Sequence, residues 1–339
     1  TLTARARGGA VPLVPAGHLI AWEQFVLPVI PTAPAPAVTG PVVLTEADSR
    51  ITLSAAGTDL TIDRATGLID YRKDGRAILA GGTPNFTRAL TDNDIGTKLE
   101  RTHALWKRAS ETRTTEATIA ERSADGSVGI RVRFAVGDDA ARFENRYVMR
   151  GDGTVTVDAQ FPPTAANLPD PLRIGLAFIM PTAFDRVEWY GKGPHESYWD
   201  RQAGAALGRW TGAIADQNHD YMRPQETGNK VGVRWLKISG ANLPSFMVTG
   251  EQPLSTNVLA FPYDDLAKRP PGTRRSSDIR PHGTVTLLID KIQSGLGGTD
   301  SYRIPVAPQR YGFTLSVAAE TAASKGALPA TASGTPIAF

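Results

Sequence analysis

Cysteine is absent from all 339 residues. That absence removes disulfide frameworks, thiolate nucleophiles, zinc knuckles and iron–sulfur ligation together. It sets no compartment, because a cysteine-free chain survives in oxidising and reducing surroundings alike. No apolar run approaches the roughly 18 residues that a membrane-crossing helix needs, so no membrane partner is expected. An excess of one charge is also missing: 37 Lys and Arg stand against 34 Asp and Glu, a surplus of +3. So thin a surplus offers polyanions no general attraction, and no nucleic acid is expected as a partner. HExxH, GxSxG and Walker sequences are absent, and His18, His103, His195, His219 and His282 stand singly. The chain opens on Thr, with no charged-then-apolar presequence, and is expected to be a processed, truncated or excised piece.

What is present is period-2 alternation. Ile51 and Leu53, then Leu60 and Ile62, alternate with polar neighbours. Val128, Ile130, Val132 and Phe134 share one face, as do Val155, Val157, Ala159 and Phe161. Val231, Val233 and Trp235 follow, then Val285, Leu287 and Ile289, and finally Tyr311, Phe313, Leu315 and Val317. Turn residues such as Lys73-Asp74-Gly75 and Gly151-Asp152-Gly153 separate these runs, and 33 glycines and 25 prolines suit a turn-rich chain. One-face alternation predicts antiparallel sheets with one side packed and one solvated. The expected fold is all-β, a large twisted antiparallel sandwich. Helical periodicity is scarce, and Leu99 to Ala109 is its best stretch.

Five prolines within residues 28–41 predict an extended spacer between two folded parts. Before it, residues 17–27 alternate and are rich in strand formers, as the last strand of a domain whose remainder is missing. The expected organisation is residues 1–27 as a domain remnant, 28–41 as linker and 42–339 as one large β domain.

Five segments are denser in polar, aromatic and glycine residues than strands require. The first, residues 87–96, holds Asp92, Asn93, Asp94 and Gly96. Two carboxylates flanking an amide suit a sugar hydroxyl or a cation, or form an Asx-rich turn capping a strand. The spacing fails as a calcium loop, because the glycine comes one position early and no Glu closes the frame. The second, residues 189–201, places His195 beside Glu196 and ends in Arg201. That pair invites an acid–base reading, but strand neighbours point to opposite faces. Structural hydrogen bonding by Glu196 and Arg201 is the competing reading. The third, residues 221–230, holds Glu226. The fourth, Arg269 to Arg280, is basic but lacks an aromatic residue and is interrupted by Asp278, and reads as a solvated loop. The fifth, residues 295–302, has glycines that let the backbone bend and deliver Tyr302 at a loop tip. There a flat ring stacks on a sugar face or anchors the turn.

These segments carry a resemblance. TRALTDNDIG (87–96), VEWYGKGPHESYWDR (187–201), RPQETGNKVGVRW (223–235), SGLGGTDSY (294–302) and YGFTLSV (311–317) stand in the order and at the separations of one family. In them the chain resembles the C-terminal part of bacterial β-galactosidases of glycoside hydrolase family 2. GHLIAWEQF (17–25) resembles the closing strand of the immunoglobulin-like domain that precedes this part in the family.

The resemblance implies a galactose-mutarotase-like supersandwich. It also implies that the activity, hydrolysis of terminal β-galactosides with retention, rests on two glutamates of a TIM barrel outside this chain. No catalytic residue is then expected here, and the family's magnesium and sodium belong to that missing part. Tyr302 matches a family position usually held by Trp that stacks on the sugar, and Asp300 lies in the same substrate-binding loop. Asp92, Asn93, Asp94 and Gly96 match the start of the family's active-site loop, while Glu196, Arg201 and Glu226 match motif positions that read as structural. Implied partners are the remaining domains of the β-galactosidase, a galactoside substrate and further copies in a homo-oligomer. The relatives point to the cytoplasm, with the periplasm the alternative. Two other functions compete: a free-standing aldose 1-epimerase using His195, His219, Glu226 or Asp300, and a non-catalytic carbohydrate-binding module or separate subunit.

Overall fold

A computed structural model describes residues 1–8, 13–25, 40–123, 127–165, 167–297 and 302–318. Nearly all of the proline-rich segment 28–41, and residues 319–339 of the large expected domain, lie outside these. Strands β1 (Leu2–Arg5) and β2 (Leu19–Glu23) pair antiparallel as a sheet of their own. Within the expected strand stretch 17–27, residues Leu19–Glu23 form a strand with β1 as its partner, and residues 26 and 27 lie outside the described residues. Gln24, just past it, touches the large domain, accepting from Leu207 N at 2.6 Å and donating to Leu207 O at 2.8 Å.

The remaining strands form one antiparallel sheet. Its first run is β3 (Val43–Glu46), β4 (Arg50–Ala55), β5 (Thr58–Asp63), β6 (Ile69–Lys73) and β7 (Arg76–Asn85). Short helices α1 (Asp92–Gly96), α2 (Leu99–Thr102) and α3 (Ala104–Ala109) come next. Then follow β8 (Thr114–Arg122), β9 (Val128–Val136), β10 (Ala141–Met149), β11 (Val155–Phe161) and β12 (Arg173–Met180). The last strands are β13 (Arg186–Gly193), β14 (Ala206–Ala213), β15 (Lys230–Ser239), β16 (Phe246–Leu259), β17 (Val285–Gln293) and β18 (Gln309–Val317), with α4 (Asp265–Lys268) before β17. The main path runs β3-β4-β5-β6-β7-β12-β17-β16-β18-β11-β10-β9-β8, and β15, β13 and β14 branch from β16. Strand β16 makes the branch possible because it is long. Phe246–Gly250 pairs with β18, and Ser255–Leu259 pairs with β17.

Alternation built this core as expected along β4, β5, β9, β11 and β18, whose odd or even apolar residues are buried. Phe86, Trp106, Phe143 and Phe161 meet at its centre with ring centroids 5.1–5.6 Å apart. Such edge and tilted contacts add about 0.5–1.5 kcal/mol each beyond area burial.

Three expectations are corrected. The face Val231, Val233, Trp235 does not stay on one side. Register shifts in the β15–β16 pairing turn the strand over, so that Val233, Leu236 and Ile238 are buried while Trp235 is not. An extra residue in a ladder moves every later side chain to the other face. Second, β17 is buried on both faces from Val285 to Asp290 rather than solvated on one. A second small core of Ala89, Leu259, Phe261, Leu266 and Ile279 lies across the sheet, and adjacent Val258 and Leu259 belong to different cores. Third, Leu99–Ala109 is helical as expected but as two helices divided at His103, and TDNDIG forms helix α1 behind its cap Thr91 rather than a turn capping a strand.

Candidate functional site

Segments far apart in sequence meet at one rim of the sheet. In the first, Thr91 caps α1: its Oγ1 accepts from Asp94 N at 3.2 Å, and Asp94 Oδ2 accepts from Thr91 N at 2.9 Å. This reciprocal capping box satisfies two donors that a helix start leaves unpaired. The same Asp94 carboxylate takes both arms of Arg88, at 3.0 Å from Nε and 2.7 Å from Nη2. Both side chains are buried, and Arg88 also donates to the carbonyls of Ser294 (2.7 Å) and Gly295 (2.9 Å). Asn93 Nδ2 adds a bond to Leu296 O at 3.0 Å. The first and fifth segments are thus one unit.

The second segment joins them. Asp200 Oδ2 accepts from Gly297 N at 2.9 Å, and the Trp199 and Tyr302 rings meet edge-on at 5.4 Å. Gly295 N closes the loop base on Tyr302 O at 3.0 Å. A Cβ on Gly295 would stand 2.7 Å from Asp200 Cγ and 2.9 Å from Tyr302 Cβ. Asp200 is tied to Gly297, so it cannot swing aside freely. Gly295→Ala is therefore expected to cost about 1–3 kcal/mol by overpacking, measured as a lower urea midpoint; an unchanged midpoint refutes the contact.

The third segment is fixed from two sides. Glu196 accepts from Gly228 N at 2.8 Å and from the Tyr221 hydroxyl, and pairs with Arg201. Burial raises this carboxyl, but the Tyr221 and Gly228 hydrogen bonds and the Arg201 charge outweigh it and hold it below the usual range. Lys230 Nζ holds Gly228 O at 2.8 Å over the Trp189 ring, and burial pushes its ammonium down to about 8. At the surface Arg223 pairs with Asp92, whose N–H donates to Gln225 Oε1 at 3.3 Å.

Beneath the rim lies a fully buried ionic cluster. Arg173 reaches Glu226 at 3.1 Å, Asp290 at 3.2 Å and Gln293 Oε1 at 2.9 Å, and its guanidinium lies 5.3 Å from the Tyr263 ring centroid. Burial raises the Tyr263 hydroxyl, so it stays protonated and donates to Glu226. Asp290 crosses from β17 over Gly175 of β12, where a Cβ would stand 1.7 Å from its Oδ1. Burial pushes Asp290 up to about 7, with Arg173 opposing and Glu226 reinforcing.

Several candidate residues change standing with these contacts. Asp92 and Asn93 are exposed at the rim, while Asp94 is consumed beneath it. Tyr302 is 47% exposed with its ring braced by Trp199. Gly96 ends α1 in open space. Asp300 lies outside the described residues. Glu196 and His195 do not sit in a strand as expected, because β13 ends at Gly193; His195 is exposed and Glu196 turns inward. Glu226 is buried and engaged by Arg173 and Tyr263, away from any substrate face, and His219 meets Tyr221 edge-on at 4.5 Å. In the basic fourth segment, Asp278 accepts from Arg274 N and Arg275 N at 2.8 Å each, and Ser276 N donates to Tyr221 O. Sequence reasoning missed Arg173 and Asp290. Their signal was available: a charge inside each of the apolar runs PLRIGLAF (171–178) and VTLLID (285–290). Among the described residues no group of three or more His, Asp or Glu is placed to hold a metal ion.

The family model described as "Beta galactosidase small chain" matches residues 54–318. The chain belongs to the β-galactosidase small-chain family. Its relatives include a β-galactosidase of Priestia megaterium, 34% identical over 303 residues, covering 86% of this chain and 28% of that protein. β-Galactosidase 2 of Enterobacter cloacae is 31% identical over 319 residues, covering 88% and 29%. The chain thus spans less than a third of the length of these relatives. Galactose 1-epimerase from Lactobacillus acidophilus superposes with a TM-score of 0.49 at 10% identity, covering 84% of this chain and all of that one. The all-β antiparallel architecture itself rests on the strand pairing described above.

Proposed function

We propose that this small-chain domain forms a non-catalytic wall of the sugar site in a larger β-galactosidase. The observation that carries the proposal is the exposed Tyr302 ring, braced by Trp199 at 5.4 Å on a rim assembled from the family's own motifs. An aromatic face offers the C–H side of a sugar a flat apolar surface. Asp92, Asn93 and His195 are exposed in the first and second segments, where they supply acceptors and donors for hydroxyls. The domain binds and orients the galactoside, and the rim excludes water on its side.

Hydrolysis with retention needs two carboxyls about 5–5.5 Å apart, one of them able to give up a proton. Glu196, Glu226 and Asp94 are instead each engaged by an arginine, Arg201, Arg173 and Arg88 in turn. The nucleophile and acid/base are assigned to a barrel in the remaining domains, together with any magnesium or sodium. The partners in this reading are those remaining domains, a terminal β-galactoside and further copies of the whole enzyme.

Mixing or co-expressing the chain with a barrel-containing remainder is expected to restore hydrolysis of a chromogenic galactoside that neither part performs alone. No restoration with both parts folded refutes the proposal. In the complete enzyme Tyr302→Ala is expected to raise KM about five-fold, the loss of one stacking contact of about 1 kcal/mol. Unchanged kinetics would return Tyr302 to a purely structural role.

A further inference from the structure

We propose that Arg88 and Asp94 are positioning residues for sugar binding: their buried pair holds the loop base that carries Tyr302. The inference deepens the wall proposed above and rests on it. Four guanidinium bonds leave one side chain. Two end on Asp94, at 3.0 and 2.7 Å, and two on the consecutive carbonyls of Ser294 and Gly295, at 2.7 and 2.9 Å. Gly295 then donates to Tyr302 O at 3.0 Å, so the clamp stands one hydrogen bond from the residue that carries the exposed ring.

The arrangement is specific to arginine. A planar fork binds a carboxylate with two parallel bonds while its other N–H groups point elsewhere, which a lysine ammonium cannot reproduce. Asp94 is fixed in turn by the Thr91 capping box. A helix start, a carboxylate, a guanidinium and two carbonyls therefore fix the backbone on which Gly295 meets the Tyr302 carbonyl. Outside the clamp, Asn93 on Leu296 O and Asp200 on Gly297 N hold the next two residues of the same loop. With Arg88 replaced, these surface contacts remain, and the Gly295–Tyr302 contact persists in a broader set of positions. The ring is then still present but not pre-placed, which weakens binding without touching the reacting groups.

The test uses the complete galactosidase with Arg88→Lys, Asp94→Asn and Tyr302→Ala, each normalised to folded enzyme. Arg88→Lys and Asp94→Asn are expected to raise KM about five-fold while kcat changes by less than about two-fold. Arg88→Lys combined with Tyr302→Ala should raise KM no further than Tyr302→Ala alone, because both remove one platform. A KM at the wild-type value, a fall in activity at constant KM, or single effects that multiply in the double variant would each overturn the proposal. If Tyr302→Ala itself leaves KM unchanged, the sugar-binding wall and the clamp's role fall together. If Tyr302→Ala raises KM and the two clamp variants do not, only the clamp's role falls. Should Arg88→Lys fail to fold, Asp94→Asn decides the matter, since it keeps the shape of the carboxylate and removes its charge.

Discussion

Arg173→Met is expected to cost about 3–5 kcal/mol of folding stability, read as a fall in the urea midpoint. The guanidinium is the only cation touching Glu226 and Asp290 in the contacts described, and all three side chains are fully buried. Methionine fills much of the space but leaves two carboxylates without a counter-charge in a site closed to water. Such a charge is not tolerated; one carboxylate must take up a proton or drag water inward. The loss also propagates to the rim, because Glu226 N donates to Ala89 O and Ala89 N donates to the Tyr263 hydroxyl oxygen, each at 3.0 Å. Arg173→Lys keeps the charge without the fork and should lose less. A midpoint unchanged in Arg173→Met would show that the cluster is not what holds these segments together.

Asp290→Asn should gain on the wild-type chain as pH rises from about 4 to about 8. In the fold, burial pushes Asp290 up to about 7 from an ordinary 3.8. Between those values the folded state holds a proton that the unfolded chain has released, so folding is favoured by acid over that range. This contribution is complete below about pH 4 and disappears as pH climbs through 7. Asparagine copies the protonated carboxyl and does not titrate. The stability difference between the two chains should therefore change by up to about 1.4 kcal/mol per pH unit. Measuring it as a difference cancels His103, which burial lowers to about 4 and which acts in the opposite sense. A difference that stays flat with pH would place the titrating proton elsewhere.

How much of this was legible beforehand differs by residue. Val128, Ile130, Val132 and Phe134 announced a half-buried strand, because a period of two needs no knowledge of its partner. Trp235 misled, because the bulge that turned it outward lies in the pairing of β15 with β16. Both-face burial of β17 was hidden as well, since the elements covering its second face come from other parts of the chain. At the rim, the motif strings marked segments that the structure brings together, but not their contacts. Arg88 stood inside a quoted motif, yet its partners Ser294 and Gly295 lie 206 and 207 residues away.

By itself the sequence determined the class of the molecule. Zero cysteines, a balanced charge and repeated alternation left an antiparallel all-β domain without thiol chemistry, and the ordered motifs pointed to one family. Those are local or compositional properties, and they survive without coordinates. Only the tertiary structure decided which of these polar residues stand at the surface. Asp92 and Asp94 are two residues apart and chemically alike, but one is at the surface and the other is sealed against Arg88. Burial and long-range pairing set that difference, and neither is written in the spacing of the residues themselves.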